Sequence, residues 1–222
     1  MTPIDSFREA AIEWAIRGDA AAEAAARRLR DGIESVILVE GVSDAAAIEA
    51  LAARTGQDLQ DARVCVIPMG GVTNIAKFLG ILGDGGLGIR VAGLCDANEE
   101  RYFLRALANT MTSTSTSVTP IDNRQAMAEA GFFVCVDDLE DEFIRALGVD
   151  AVQDVMDANG DLRLFRTFQN QPAQRERPLE RQLRRFFGTT SGRKERYASI
   201  LVERCDLGSI PRPLADILLF VR

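Results

Sequence analysis

The sequence predicts an α/β fold: a mostly parallel central sheet flanked by helices, preceded by a helical hairpin and followed by a helical region. Three observations carry this. Short, continuous apolar runs, SVILV from Ser35, RVCVIP from Arg63, IRVAGL from Ile89 and FFVCV from Phe132, recur along the first two thirds of the chain. Helical stretches of about 10–15 residues separate them, the rhythm of βαβ units. The runs are apolar throughout instead of alternating, as expected of strands covered on both faces.

Taken in order, Ile4 to Arg17 has an amphipathic pattern (Ile4, Phe7, Ala11, Trp14, Ala15) and stops at Gly18. Asp19 then caps an alanine-rich helix ending near Arg30, with basic residues in its last turn where the helix dipole favours them. Residues 1–31 therefore read as a hairpin that packs on the domain or on a partner. After SVILV come Glu40-Gly41 and the helical DAAAIEALAARTG, closed by Gly56. RVCVIP leads through Met69-Gly70-Gly71, read as a turn, into TNIAKFLGIL. IRVAGL leads to Asp96 and a helix to about Asn109, and Thr110–Thr119 reads as a loop. FFVCV precedes DDLEDEFIRALG. The core is thus assigned to 32–148, and 149–222 to a helical extension carrying a basic segment.

Composition narrows the chemistry. The 222 residues are 47% hydrophobic, enough for one well-buried core. No apolar run reaches the ~20 residues of a membrane span, and the N-terminus has no signal-peptide segment, so a soluble, cytoplasmic protein is expected. Cys65, Cys95, Cys135 and Cys205 lack CxxC spacing and read as buried hydrophobes. There is no histidine, which excludes Ser-His-Asp and Cys-His catalysis and every histidine-ligated metal. Metal chemistry must rest on oxygen ligands and hence on hard cations such as Mg²⁺, Mn²⁺ or Ca²⁺. The net charge of −7 is uneven, because Arg175–Arg196 holds eight basic residues against three glutamates, a local +5, and leaves about −12 elsewhere. That asymmetry can set a phosphate-binding surface beside an acidic pocket.

Three of the four strands end in an acid within two residues: Val39-Glu40, Leu94-Cys95-Asp96 and Val136-Asp137-Asp138. In a parallel sheet these ends share one edge, so Glu40, Asp96 and the 137–142 acids should converge, with Asp44 facing them from the next helical turn. Crowded carboxylates resist ionising unless a cation neutralises them. Helix capping is the competing reading for Asp44, Asp138 and Glu140. Glu40 is harder to explain that way, since it ends an apolar strand and precedes a glycine.

VEGVSD (Val39–Asp44) resembles the EGxxD opening of TOPRIM domains, and LCDANEE (Leu94–Glu100) stands where the second TOPRIM motif, DxD, belongs. DDLEDE resembles the LE-containing acidic motif of OLD-family nucleases, and GRKERYA (Gly192–Ala198) their lysine-bearing helix. The resemblance spans roughly Ile33–Val221. It implies a Rossmann-like TOPRIM core that cleaves DNA with Mg²⁺ or Mn²⁺. On those motifs Glu40 and Asp44 would bind metal, Glu40 also handling a proton, and Asp96 would be the main ligand of the second motif. Asn98 stands at its second acid as a neutral ligand, with Glu99 beside it as a substitute. Glu140 and Glu142 would complete a second metal position, and Lys194 would stabilise charge on the phosphate. Arg184, Arg185, Arg193 and Arg196 would contact phosphates rather than bases, giving low sequence specificity. The competing reading has these arginines salt-bridging the acidic core. OLD proteins carry an ATPase, and the 222 residues contain no GxxxxGK[ST], so any ATPase is expected on a separate chain. The alternative function is a TOPRIM subunit that binds nucleic acid or an ATPase partner without efficient cleavage, and a small-molecule phosphotransferase is a third. A homo-oligomer is compatible with the sequence.

Overall fold

The computed structural model describes residues 1–111, 121–190 and 192–222. Its centre is a four-stranded parallel sheet of β1 (Ser35–Val39), β2 (Val64–Pro68), β3 (Arg90–Cys95) and β4 (Phe132–Val134), ordered β2-β1-β3-β4. Ser35 pairs with Val64 on one side and Arg90 on the other, and Gly93 pairs with Phe132. The chain leaves β1 for β2 on one flank and returns to β3 on the opposite flank. The strand order therefore reverses between β1 and β3, and a crevice opens there at their C-terminal ends.

Every residue of β1 is buried. Ile37 and Val39 face one layer while Val36 and Leu38 face the other, the period-2 alternation of a strand covered on both sides. One layer holds α1 (Pro3–Arg17), α2 (Ala20–Leu29), α4 (Ile75–Leu82), α5 (Glu100–Met111) and α6 (Arg124–Glu129). The start of α1 is fixed by a capping box in which Thr2 Oγ1 accepts from Asp5 N and Asp5 Oδ2 accepts from Thr2 N. Its end is fixed by Gly18 at φ +67°. Ile4, Phe7, Ala11 and Ala15 of α1 are buried in the layer that holds Val36, Leu38 and Cys65, so the hairpin packs on the sheet.

The other layer is α3 (Val42–Arg54) with α7 (Leu139–Leu147), α8 (Val149–Ala158), α9 (Leu162–Gln169), α10 (Leu179–Phe187), α11 (Arg193–Arg204) and α12 (Arg212–Phe220). Alanines 45, 46, 47, 50, 52 and 53 give α3 a low surface, and α11 lies along it. Tyr197, Ala198 and Leu201 of α11 share a buried cluster with Ala47, Ile48 and Leu51, and Arg54 donates to the carbonyl of Val202. The four cysteines are free and buried.

Two element boundaries differ from the sequence expectation. β4 stops at Val134, where FFVCV implied a strand to Val136. Cys135 N still donates to Cys95 O at 2.9 Å, but Val136 N is taken by the Glu142 carboxylate at 2.7 Å, which ends the ladder. The loop expected at Thr110–Thr119 starts later, because α5 runs through Met111; 112–119 lie outside the described residues.

Gly131 precedes β4 at φ +89°, and a Cβ there would lie 2.3 Å from the Phe220 ring of α12. Gly56 has a similar φ of +73° with open space around it. Gly131→Ala should cost about 3 kcal/mol from combined strain and overpacking. Gly56→Ala should cost about 1 kcal/mol from backbone strain only. Urea unfolding of both, with Phe220→Leu added to the first, would separate the two contributions. Equal losses would show that the ring does not constrain Gly131.

Candidate metal centre at the sheet edge

Glu40 directly follows β1, and its carbonyl accepts from Gly70 N (3.1 Å) and Gly71 N (3.3 Å). Both glycines have positive φ, +69° and +124°, which lets two successive amides turn back onto one oxygen. The Met69-Gly70-Gly71 turn thus fixes the backbone of Glu40. Asp96 directly follows β3. A tight turn, Glu99 N to Asp96 O at 2.9 Å, brings Glu99 back beside it, and Ala97 N donates to Asp137 O at 3.1 Å. One carboxylate oxygen from each of Glu40, Asp96 and Glu99 lies within 4.8 Å of the others, all three residues being partly buried.

These carboxylates hinder one another's ionisation. Asp96 is pushed up to about 8, first by burial and then by the charges of Asp44 and Asp138. Glu99 is pushed up to about 8, first by burial and then by its contact with Glu40. Glu99 Oε2 is buried without a hydrogen-bond partner among the described residues. A set of three oxygen donors, one of them unsatisfied, fits a hard dication.

A second arc of charge faces this cluster. Asp44, in the first turn of α3, accepts from Gly41 N at 3.0 Å. Burial raises its pKa against the pull of Lys194. Glu140 in the first turn of α7 is 5% exposed and lies 3.1 Å from Lys194 Nζ. Its pKa is raised to about 7 by burial, which outweighs the lysine. Burial works against the Lys194 ammonium, yet Glu140, Asp44 and Asp96 together hold its pKa above the usual lysine range. Lys194 reaches this position because it occupies the first turn of α11, docked on α3. A crevice of about 490 Å³ is lined by Glu40, Asp44, Gly70, Gly71 and Lys194 among others.

The remaining sequence candidates fall elsewhere. Asn98 is exposed, and the cluster takes Glu99 in its place. Glu142 is buried and engaged with Val136 N and with Arg145 at 2.8 Å, so its carboxylate is committed to the loop before α7. Arg184 pairs with Asp138 and lies 3.8 Å from Asp137. Arg193 stacks on Phe186 at 4.1 Å, donates to Phe186 O and Thr189 Oγ1, and sits 3.7 Å from Asp161. Arg196 pairs with Asp161, which also accepts from Tyr197 OH at 3.0 Å. Three of the four arginines therefore brace the fold. Arg185 is exposed with no partner among the described residues. Asp161, 7% exposed at the start of α9, is the acid that sequence reasoning missed. It carries no local motif, and its partners are 32 or more residues away.

Residues 33–97 match the family model described as Overcoming lysogenization defect protein-like, TOPRIM domain. This segment, under a third of the chain, is similar to an OLD-like TOPRIM domain. The matched segment contains Glu40, Asp44 and Asp96, while Glu99, Glu140 and Lys194 lie beyond it. Most of the fold is similar to the C-terminal region of the Burkholderia pseudomallei OLD protein, at TM-score 0.65 and 21% identity over 86% of this chain and 97% of that one. The C-terminal region of the Xanthomonas campestris pv. campestris OLD protein, in a structure phased with iodine, gives TM-score 0.62 and 24% identity over 85% and 94%. At these identities the likeness is one of fold. No curated protein matches the chain. No described helix is long and apolar enough to cross a membrane.

The raised carboxyl pKa values set a pH dependence. Asp96 and Glu99 have ordinary values of 3.8 and 4.5 and are pushed up to about 8 in the folded chain, so the native state holds protons that the unfolded chain releases. Their contribution to stability is full below the unfolded values and is lost as pH rises through about 8. In EDTA the melting temperature should fall between about pH 5 and about pH 9, Mg²⁺ should offset the fall, and Asp96→Asn should flatten it. A melting temperature independent of pH and of Mg²⁺ would contradict this electrostatic account.

Proposed function

We propose that the chain hydrolyses phosphodiester bonds in DNA with little sequence preference, using Mg²⁺ or Mn²⁺ held by Glu40, Asp96 and Glu99. The observation that carries this reading is the three-carboxylate cluster at the strand-order reversal, facing an ammonium held in place by Glu140. A bound dication supplies Lewis acidity toward a phosphoryl oxygen and neutralises charge. The protein's own groups do the rest. Lys194 attracts the phosphate and stabilises the charge that develops on it. Glu140 holds the lysine at the rim, and Asp44 adds to the field that keeps it protonated. Glu40 accepts the proton of the attacking water. The unsatisfied oxygen of Glu99 supports assigning it the place that Asn98 holds in the linear motif. The side chains toward the neighbouring cleft are mainly arginines, which suit phosphates more than base edges when set along a backbone path.

A second reading is favoured by Asn98. With a neutral residue at that position, the chain would be a TOPRIM subunit that binds nucleic acid or a separate ATPase without efficient cleavage.

Supercoiled plasmid and single-stranded DNA incubated with Mg²⁺, Mn²⁺ or EDTA test the proposal. Cleavage should require the metal and fall by about 100-fold or more in Glu40→Ala and in Lys194→Ala. Glu99→Gln should lose most activity and Asn98→Ala little. The reverse order for these two would overturn the assigned ligand set. Absence of cleavage together with absence of Mn²⁺ binding by calorimetry would favour the second reading.

A further inference from the structure

The cleft next to the acidic crevice, about 580 Å³, is lined by Asp138, Glu140 and Lys194 and by Arg177, Arg181, Arg184 and Arg185. Of Arg177, Arg181 and Arg185, only Arg185 is among the four that the sequence put forward. Arg184, Arg193 and Arg196 are tied to Asp138 and Asp161. Arg181 is more than half exposed, and its ion pair with the partly exposed Asp137, at 3.6 Å, is a surface contact that a phosphate can displace. Arg177 is exposed and bonds only the backbone oxygen of Ala173, which leaves its charge unneutralised. Arg185 has no partner among the described residues. Arg181 and Arg185 are one turn apart on α10, so they share a face about 6 Å apart, and Arg177 lies just before the helix, four residues ahead of Arg181.

We infer that Arg177, Arg181 and Arg185 form a ridge that grips successive phosphates of one nucleic-acid strand and leads it to Lys194. This rests on the nuclease reading and adds to it the path of the strand. The ridge offers guanidinium groups, which pair with phosphate oxygens through two parallel donors. Arg184 pairs with Asp138, and Asp137 is shared between Arg184 at 3.8 Å and Arg181 at 3.6 Å, which leaves Arg177 and Arg185 as the ridge charges that no acid faces among the described residues. Positions along the ridge lie away from the reacting bond, so they govern how strongly substrate is held and leave the chemical step unchanged.

Fluorescence anisotropy of a labelled single-stranded oligonucleotide in Ca²⁺, across a salt series, tests this with Arg177→Gln, Arg181→Gln, Arg185→Gln and the triple variant. Arg28→Gln, on α2 across the sheet, removes one charge from the opposite layer as a control. Each ridge substitution should reduce the slope of log affinity against log salt by about 0.7, the loss of one phosphate contact on a single strand. The control should leave the slope unchanged. In cleavage assays the triple variant should raise KM at least tenfold while kcat stays within about twofold. An unchanged slope and KM in the triple variant, with wild-type cleavage intact, would overturn the ridge and leave the nuclease reading standing. A wild-type protein that binds no nucleic acid would overturn both.

Discussion

The mutual repulsion of the carboxylates gathered at one edge of the sheet is the constraint around which the structure is arranged. Burial raises the pKa of both Asp96 and Glu99, and the neighbouring acids add to it, Asp44, Asp138 and Glu140 around Asp96 and Glu40 around Glu99. Within the chain, the compensating charge near the crevice is Lys194, which is delivered from more than 150 residues away by the docking of α11 on α3. That docking depends in turn on the alanines of α3, because larger side chains would push the two helices apart. A helix–helix contact that looks purely structural thus sets the electrostatics of the crevice.

The parallel sheet explains why the acids meet. Strands that run in one direction bring all their ends to one side, and the reversal of order between β1 and β3 opens a crevice there. Glu40 and Asp96 terminate the two strands that flank it. The clamp of two glycine amides on the carbonyl of Glu40 then orients one carboxylate through its backbone, independently of any side-chain contact. Asp138 serves the same edge differently, capping α7 through Asp141 N while receiving Arg184.

Much of this was legible in the sequence because it depends on local pattern. Apolar runs gave the strands, glycine and aspartate gave the ends of the first two helices, and the strand-terminal acids gave the edge. What was not legible depends on side chains choosing partners far along the chain. The motif pointed to Asn98, but a tight turn exposes it and brings in Glu99. Glu142 looked like a ligand by its place in DDLEDE, yet an unpaired amide at Val136, left where β4 ends, captures it. Arg193 and Arg196 looked like a basic surface, and a single buried acid, Asp161, pairs with both and draws the first inward. No spacing rule encodes that choice, since Asp161 resembles any helix-start aspartate until α11 is folded against it.

Arg193 has one more consequence. Its guanidinium rests on the ring of Phe186 and bonds that residue's carbonyl while its own backbone begins α11. The corner between α10 and α11 is therefore riveted, and Lys194 and Arg185 sit on one rigid bracket. The bracket works as a ruler for the two backbone positions, while the guanidinium of Arg185, unpartnered among the described residues, keeps the reach to adjust to whatever lies across them.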